Sequence, residues 1–412
     1  MAVVEPPHEA DRPQGDLEPP AADADFERQF GEPLRRVLDL DTWHPGSDIP
    51  ALYERLDREI RSAVEQEDRV VAGLRAAVVP RIKDRSRKGA PPLAGVWNVS
   101  LETLEKVHRT TLFAGEVEAC DGTVLVHDSL ALTIIQLGVC LISYNGDEGT
   151  WSHRLFRRDL RGAPDNPVDE ALELLELRDR RASVGVDDRR DRLTELGRRG
   201  IMTYAERAVL TRMSTAPWRL GQGSPAPFEL LTGAGALDLV ERGLEVLSEL
   251  LLDHRRFAFV PSAPKQRALL TIGLALRPLE FAVVHGLRSY IEDIVERGHL
   301  RGRRLRTALD FVDAAGEAVA VGVYRVSRTA PPYVFYAPAD PELCAQAAAI
   351  VMADAVLQEH RGFPLLLDMA DQLCAASFGR QDFLGTVGAA YAAQDRAFTD
   401  LSERETRPYA GR

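Results

Sequence analysis

Asp121 is the residue of this sequence whose surroundings first suggest chemistry. It follows the strand-like segment 115–120, is followed by Gly122, and precedes the long apolar segment 130–142. A carboxylate among apolar residues needs partners, because an isolated buried charge is costly. Two interpretations follow from the residues alone. Either the Asp-Gly pair forms a turn between two strands, or the carboxylate holds a metal ion.

Two clusters of basic residues could contact phosphate groups, since such contacts require only positive charge and reach. Their members are Arg154, Arg157, Arg158 and Arg161 in the first cluster, and Arg301, Arg303, Arg304 and Arg306 in the second. The alternative is that these side chains are only solvated. Nearly all basic residues of the chain are arginine, so a cluster of arginines is less informative here than in a balanced composition.

The segment 260–267 gives a sharper prediction. Ser262 is placed to cap a helix that Lys265 and Arg267 join, so a helix N-terminus and two cations would face one place. We therefore predict a phosphate contact there. The nine histidines show no metal-ligand spacing, and His127, six residues after Asp121, is a weak candidate for the site.

The bulk composition excludes several classes of protein. The net charge of −12 argues against a protein that coats nucleic acid nonspecifically, although it is compatible with a local basic groove. Thr133 and Gln136 interrupt the longest apolar run, so no membrane span is predicted. The four cysteines follow no Cys-x-x-Cys spacing, which predicts reduced thiols in a cytoplasmic protein rather than a zinc site.

Three regions are predicted along the chain. Residues 1–25 are rich in Pro, Asp, Glu and Ala, which is typical of a disordered tail. Residues 26–110 form an N-terminal helical region, in which apolar residues recur at helical spacing from Leu52 to Val78. This stripe suits a partner helix or a second subunit, and packing on its own domain is the alternative. Residues 111–404 form the third region, a folded domain.

The third region alternates between strand-like and helix-like segments, which predicts an α/β fold. Three strands open it, joined by turns at 121–123 and 145–149; a further strand is predicted at 227–233, and a β-rich stretch at 307–338. Three hairpin-joined strands with an acidic residue on the first also begin a ribonuclease H-like sheet. We predict such a mixed sheet, flanked by helices, with an N-terminal helical extension.

Three stretches of the chain resemble the NurA nucleases, a family that works with the hexameric HerA translocase in processing DNA ends. The first is Cys120-Asp121-Gly122-Thr123, where the family has a strand that ends in Asp-Gly-Ser. The second is Tyr-Ala-Glu-Arg at 204–207, where the family has a glutamate on a helix. The third is Gly-Phe-Pro, an apolar run and Ala-Asp at 362–371. The resemblance covers residues 115–391.

The resemblance implies a metal-dependent DNA nuclease that acts on DNA ends or single strands in DNA repair or phage defence. It implies that Asp121, Glu206 and Asp371 bind Mn²⁺ or Mg²⁺ and act in catalysis. Glu229 is a further catalytic candidate from the residues themselves, if the strand register or a bulge brings it round to the site. Such hard cations prefer carboxylate oxygens, and phosphodiester hydrolysis needs an activated water and relief of charge in the transition state.

Two positions depart from the pattern of the family. The family has Asp-Gly at the end of a further strand; aligned on the glycine of the segment 227–235, Thr232 replaces this aspartate. Glu229 lies three residues earlier and would point to the other face of a regular strand. Phe363 replaces the family's tyrosine. An alternative function is therefore a catalytically inactive, dimeric scaffold or DNA-channel adaptor for the ATPase.

The expected partners are DNA, a HerA-like hexamer and a second copy of the chain. Family members are dimers whose paired domains enclose a channel for DNA, and the stripe from Leu52 to Val78 suits a two-fold partner. We expect the N-terminal helices and parts of the segment 307–336 to form the dimer interface.

Overall fold

The computed structural model describes residues 21–43, 49–129, 132–157, 187–233, 237–263 and 266–398. The chain separates into two compact units, Met1–Val70 and Val71–Arg412. Of the tail predicted to be disordered, residues 1–20 lie outside the described residues. The first helix begins at Ala21, so the last five residues of that predicted tail are helical.

The first unit consists of helices. They are α1 (Ala21–Phe30), α2 (Leu34–Val37), a 3₁₀ turn (Leu40–Thr42) and the N-terminal part of α3 (Ile49–Lys83). The helix predicted from the apolar stripe is present as α3, which continues through Pro80 and ends at Lys83. Within this unit the stripe is exposed: Leu56 and Ile60 are each 54% exposed.

The second unit is built on one mixed sheet of nine strands. They are β1 (Gly95–Asn98), β2 (Val117–Asp128), β3 (Thr133–Ser143), β4 (Gly146–Arg157), β5 (Trp218–Gln222), β6 (Phe257–Val260), β7 (Glu280–Gly286), β8 (Val319–Arg325) and β9 (Tyr333–Pro338). Their order across the sheet is β1-β7-β8-β9-β6-β5-β2-β3-β4.

The two halves of the sheet differ in strand direction. β2, β3 and β4 form an antiparallel meander, and β5 and β6 continue from β2 as parallel strands. The other half consists of β1, β7, β8 and β9, which are all antiparallel to their neighbours. It joins the first half through a β6–β9 pair. The predicted fold, a mixed sheet that opens with three hairpin-joined strands, is confirmed. β1 adds a strand from a segment predicted to be helical.

Helices cover both faces of the sheet. The helices after β1 are α4 (Leu101–Val107), α5 (Asp187–Arg212), α6 (Phe228–Thr232), α7 (Leu237–Ser248), α8 (Arg267–Leu274), α9 (Arg288–Arg297), α10 (Gly302–Ala315), α11 (Pro341–Val356), α12 (Leu365–Ser377) and α13 (Arg380–Ala392). Buried residues of α5, α6, α7, α9 and α10 form one core. Those of α4, α11 and α12 form another core on the opposite face.

Three predicted elements are wrong. β2 runs without interruption through Asp121 and Gly122, so this pair is no turn. The segment predicted as a strand at 227–233 is the helix α6, which begins after Pro227 and ends at Gly233 in the left-handed conformation (φ 75°). The start of the predicted β-rich stretch is the helix α10. Among the described residues, no helix is long and apolar enough to cross a membrane.

Candidate active site

Asp121 lies where β2 loses a neighbour. The parallel pairing of β2 with β5 ends at Cys120 opposite Gly221, while the antiparallel pairing with β3 continues and places Cys140 opposite Asp121. Side chains alternate along a strand, so Asp121 and Cys140 share one face and Cys120 points to the other. Asp121 is only 6% exposed, although it is a carboxylate.

Helix α12 brings a second carboxylate to the face of Asp121. The Cys374 thiol donates to the backbone oxygen of Asp121 at 3.3 Å, which fixes α12 against β2. Asp371 precedes Cys374 by three residues and therefore lies on the same side of α12. The side chain of Asp371 is exposed, and it lies near enough to Asp121 to raise the pKa of that carboxyl.

Glu206 approaches the same point from the other face of the sheet. Glu206 lies on α5, and its backbone oxygen accepts a hydrogen bond from the Cys120 thiol at 3.5 Å. Gly122 makes this approach possible: a Cβ atom there would lie 2.8 Å from Oε1 of Glu206 and would also meet Sδ of Met202. The glycine of the Asp-Gly pair is thus required by close packing against α5.

The carboxylates interact strongly with one another. Burial, together with the negative charges of Glu206 and Asp371, raises the pKa of Asp121 to about 7, although the hydrogen bond from the Gly122 N–H acts to lower it. Burial also raises the pKa of Glu206, with Arg207 acting to lower it and Glu229 acting to raise it. The site therefore concentrates negative charge that lacks full compensation.

Arg207 is the cation of this site, and it is only 3% exposed. Its guanidinium lies 3.6 Å from the Glu206 carboxylate and donates to the backbone oxygens of Gln222 and Ser224, at 2.8 Å each. It also stacks over the Phe259 ring, 4.5 Å from the centroid. These contacts fix α5 to the segment that follows β5.

Gln222 occupies the strand-end position that the sequence assigned to Thr232. Because residues 228–232 are helical, the strand between α5 and β6 is β5, and it ends at Gln222 followed by Gly223. With its amide oriented to satisfy both neighbours, Gln222 donates to Oδ1 of Asp121 at 3.1 Å and accepts from the Ser262 hydroxyl at 2.8 Å. The position is thus polar and bonded to Asp121, but it carries no charge.

Glu229 lies in the first turn of α6 and is partly buried. The predicted orientation assumed a strand; on a helix, residues three apart share a side, so Glu229 and Thr232 do not point to opposite faces. The charge of Glu229 raises the pKa values of Glu206 and Tyr290. The charge of Glu229 therefore acts on Glu206, although no contact joins the two side chains among those described.

The segment 260–267, predicted to contact a phosphate group, does not have the predicted helix cap. Ser262 does not cap α8: the N-cap is Gln266, and the Ser262 hydroxyl contacts Gln222 instead. Arg267 is exposed at the first residue of α8, while Lys265 lies outside the described residues.

The two arginine clusters lie elsewhere. Arg154 on β4 donates to Gln136 at 2.8 Å, and Arg157 ends that strand; Arg158 and Arg161 lie outside the described residues. Arg303 and Arg304 are on α10, where Arg304 interacts with Asp238 at 3.8 Å and Glu241 at 3.5 Å.

The contacts of His127 are with aromatic residues near the C-terminal end of the described chain. His127 is fully buried, with Nε2 placed 3.4 Å from the Tyr391 hydroxyl, and its ring also contacts Phe398. These contacts belong to the packing of α13 and the chain beyond it.

The donor set of the site fits a hard divalent cation in its chemistry. All candidate ligands are carboxylate oxygens, and a cation would relieve the repulsion that raises the pKa of Asp121. Within the described part of the chain, no group of three or more His, Cys, Asp or Glu side chains has the spacing of a complete metal site. Asp121 and Asp371 lie on one face of β2 and Glu206 approaches from the other face. The three carboxylates are therefore more widely spaced than the ligands of a complete metal site.

A buried carboxylate on α11 fixes the start of α12 and hence the position of Asp371. Asp354 is fully buried, accepts from the Leu366 N–H at 2.9 Å and from the Tyr144 hydroxyl, and thus serves the first turn of α12. Phe363, at the position where the NurA family has tyrosine, is buried against the Tyr333 ring at 5.5 Å. It contributes packing and does not face the carboxylates.

Sequence reasoning missed Arg207, Gln222 and Asp354 as supporting residues. Gln222 was missed because β5 was not recognised as a strand. Arg207 directly follows Glu206, but the sequence gives no signal that this arginine, among so many, is buried. Asp354 stands within an alanine-rich apolar helix, and its isolation there was the available signal.

Comparisons with known proteins give the following. No model of a protein family matches the chain, and no curated protein matches it. Among solved structures, the crystal structure of the NurA nuclease from Sulfolobus solfataricus is similar with a TM-score of 0.45 and 10% identity, covering 84% of this chain and 98% of that one. A crystal structure of NurA bound to dAMP and manganese has a TM-score of 0.36 and 8% identity, covering 77% of this chain and 92% of that one. Such low values support no functional conclusion, which has to come from the side chains.

Proposed function

We propose that this protein is a divalent-metal-dependent DNA nuclease of the NurA type. The observation that carries the proposal is the convergence of carboxylates from three separate elements: Gly122 packs against Glu206 of α5, and α12 brings Asp371 to the face of Asp121. Burial, together with the charges of Glu206 and Asp371, raises the pKa of Asp121 to about 7. A fold gains nothing in stability from gathering like charges at a point where two strands part. Perturbed carboxylates of this kind are typical of functional sites, and phosphodiester hydrolysis is a reaction that uses them.

The residues have distinct roles in this proposal. Asp121, Glu206 and Asp371 would hold Mn²⁺ or Mg²⁺, which when bound supplies charge neutralisation and a water of lowered pKa. Arg207 favours the ionised form of Glu206, because its guanidinium acts to lower the pKa of Glu206 against the effects of burial and of Glu229. Gln222 orients Asp121 through its amide. Glu229 is the remaining catalytic candidate, and its charge acts to raise the pKa of Glu206.

Phosphate contacts of the DNA are assigned to basic residues around the site. Arg267 at the start of α8 is exposed and follows the segment that holds Ser262, close in the chain to the Gln222 contact. Lys265 lies beside it in the sequence. We propose Arg154, Arg157 and Arg303 as further contacts, since guanidinium groups can follow a DNA backbone and those of Arg154 and Arg303 are exposed. Arg304 is the weakest of the set, because Asp238 and Glu241 already neutralise it.

A second candidate function is a NurA-like scaffold or DNA-channel adaptor without nuclease activity. The observation that favours it is Gln222, a neutral residue at the strand end where the NurA pattern has an aspartate. Under either function, we propose that the protein acts with a HerA-type hexameric ATPase on DNA ends, in DNA repair or phage defence.

A cleavage assay on single-stranded and blunt-ended DNA with Mn²⁺, with Mg²⁺ and with EDTA separates the two functions. Cleavage that requires a metal supports the nuclease, and none under any condition supports the scaffold.

The protein is expected to be a homodimer in solution. Leu52, Leu56, Ile60 and Val64 recur every four residues on α3, and each is more than two-fifths exposed. Burying such a stripe between two copies would remove apolar surface from water at roughly 25 cal/mol per Å². Light scattering over a dilution series should therefore give about twice the chain mass of 45.5 kDa.

A charge in the stripe should break that dimer. Leu56→Glu is expected to shift the mass to that of one chain at micromolar concentration, whereas Arg58→Glu, on the opposite side of α3, should leave it unchanged. A single-chain mass for the unmodified protein at all concentrations would contradict the dimer, and the stripe would then belong to another partner.

A further inference from the structure

A pocket of about 340 Å³ opens beside Glu229. Its wall includes Phe228 and Glu229 from α6, Tyr290 from α9, Tyr336 from β9 and Leu269 from α8. The volume lies in the range of small-molecule sites, which is about 300–1,000 Å³. Three of these five residues are aromatic, so the pocket presents flat apolar surface together with two hydroxyl groups.

The pocket shares a chain segment with the residues that support the carboxylate site. Gly223 and Ser224, which directly follow Gln222, form part of its wall, and the backbone oxygen of Ser224 accepts from buried Arg207. Glu229 faces the pocket and also raises the pKa of Glu206. A ligand in the pocket would therefore lie against residues that contact Arg207 or act on the charge of Glu206.

The lining selects the class of ligand. The wall carries one negative side chain, Glu229, and one exposed positive side chain, Arg199, so it has no excess of positive charge for a phosphate group. Burial together with Glu229 raises the pKa of the Tyr290 hydroxyl, which keeps that hydroxyl protonated. A flat, neutral group suits the aromatic walls, since every nucleobase has a face that stacks on aromatic rings. A carboxylate accepts a hydrogen bond from an amino group, as acidic residues do from the amino group of cytosine.

We propose that this pocket binds an unstacked nucleobase of single-stranded DNA, with preference for a base whose edge carries an amino group. Phe228, Tyr290 and Tyr336 supply the stacking surface, and Glu229 accepts from the amino group. The proposal rests on the proposed function to the extent that DNA is the substrate, and it adds a base-recognising subsite beside the carboxylates. Thymine, which has no amino group, is the base that the pocket disfavours.

Equilibrium binding without cleavage tests the subsite. Fluorescence anisotropy is measured at pH 8 in EDTA with labelled oligo(dC) and oligo(dT), each about 16 nucleotides long, the upper end of site sizes for single-strand binding folds. The unmodified protein should bind oligo(dC) at least about 5-fold more tightly than oligo(dT). Free dCMP as a competitor shows whether the base alone is enough or whether the strand is required.

Three variants separate the contributions. Phe228→Ala should weaken binding of both oligonucleotides at least about 5-fold, because a stacking surface is lost. Its matched control is Phe113→Ala: Phe113 is 49% exposed against 46% for Phe228 and packs near Tyr144, on the opposite face of the sheet. The control should bind as the unmodified protein does. Glu229→Gln should abolish the preference for oligo(dC), since an amide can turn either its oxygen or its NH₂ group to the base.

The outcomes distinguish this subsite from the nuclease proposal. Equal affinity for both oligonucleotides in the unmodified protein, or an equal effect of the Phe228 and Phe113 variants, would overturn the subsite even if metal-dependent cleavage is found. A preference that depends on Phe228 and Glu229 supports the subsite even if the protein cleaves no DNA.

Discussion

Asp121→Asn should lower metal-dependent DNA cleavage by at least about 100-fold, since loss of a metal ligand removes several kcal/mol of transition-state stabilisation. Asparagine keeps the shape of the side chain and the acceptor for the Gly122 N–H, but removes the charge that a cation requires. The measurement is the initial rate of cleavage of single-stranded DNA in Mn²⁺ and in Mg²⁺. Asp382→Asn, an exposed acid in the first turn of α13, is the control and should keep full activity.

The same variant should be more stable than the unmodified protein at alkaline pH. The pKa of Asp121 in the folded protein is about 7, against an ordinary value of 3.8. The folded state therefore binds more protons than the unfolded state between these values. Stability from this group is fully present below pH 3.8 and is lost as the pH rises through 7. The loss is up to about 4 kcal/mol above pH 7, from about 1.36 kcal/mol per pKa unit.

Urea unfolding at pH 5 and pH 8 measures this difference. Asp121→Asn should show a smaller loss of stability between the two values of pH than the unmodified protein. An unaltered cleavage rate in Asp121→Asn would remove Asp121 from the site. If Asp121→Asn had the same pH dependence of stability as the unmodified protein, the pKa of Asp121 would not be raised in the folded state.

Arg207→Met is expected to destabilise the fold by about 3–5 kcal/mol, because removing one partner of a buried ion pair leaves the other charge uncompensated. The charge of Glu229 would then act on Glu206 without the opposing charge of Arg207, and the backbone oxygens of Gln222 and Ser224 would lose their donor. Methionine keeps a long apolar side chain against the Phe259 ring, so the loss reports mainly on charge and hydrogen bonds.

Arg212→Met is the matched control for this variant. Arg212 lies on the same helix and pairs with Glu249 at 2.7 Å, but its side chain is 37% exposed. Exposed pairs contribute about 0–1 kcal/mol, so this variant should lose little. Equal losses of stability in the two variants, measured by urea unfolding at pH 7, would show that Arg207 is not the charge partner on which the site depends.

The sequence was sufficient to place secondary-structure elements where the apolar periodicity and the turn residues indicated the same boundaries. The strands β3 and β4, on either side of the turn predicted from residue 145, and β9, within the predicted β-rich stretch, are found where the apolar runs and turn residues predict them. The segment 228–232 failed because a short apolar run between Pro and Gly fits a strand or a buried helix equally well. Pro before the first residue and Gly after the last were in fact the signals of a short helix.

Two other errors have different causes. In α10, Ala308, Phe311, Val312 and Ala315 are buried and recur at helical spacing, a period that was overlooked next to the strand β8. β5 was missed because it contains Arg219, which is unusual for a central strand. The structure buries Arg219 to 9% exposure and gives its guanidinium the backbone oxygens of Leu210, Thr211 and Ser214 as acceptors.

The candidate site could be predicted only in part. Asp121 was identifiable from its position before Gly122, and the resemblance supplied Glu206 and Asp371. Their relation across the sheet depends on where β5 stops pairing with β2, which is a property of the assembled sheet. The roles of Arg207 and Gln222 depend in the same way on contacts between separate segments, and no local pattern encodes them.

Binding of Mn²⁺, followed by electron paramagnetic resonance of the free ion, tests the central claim most directly. The unmodified protein should remove Mn²⁺ from solution in a saturable way, with Mg²⁺ competing, and Asp121→Asn and Asp371→Asn should each weaken this binding at least about 10-fold. Asp382→Asn should bind as the unmodified protein does. Mn²⁺ binding that is absent, or equally strong in all four proteins, would contradict the claim that these converging carboxylates form a metal site.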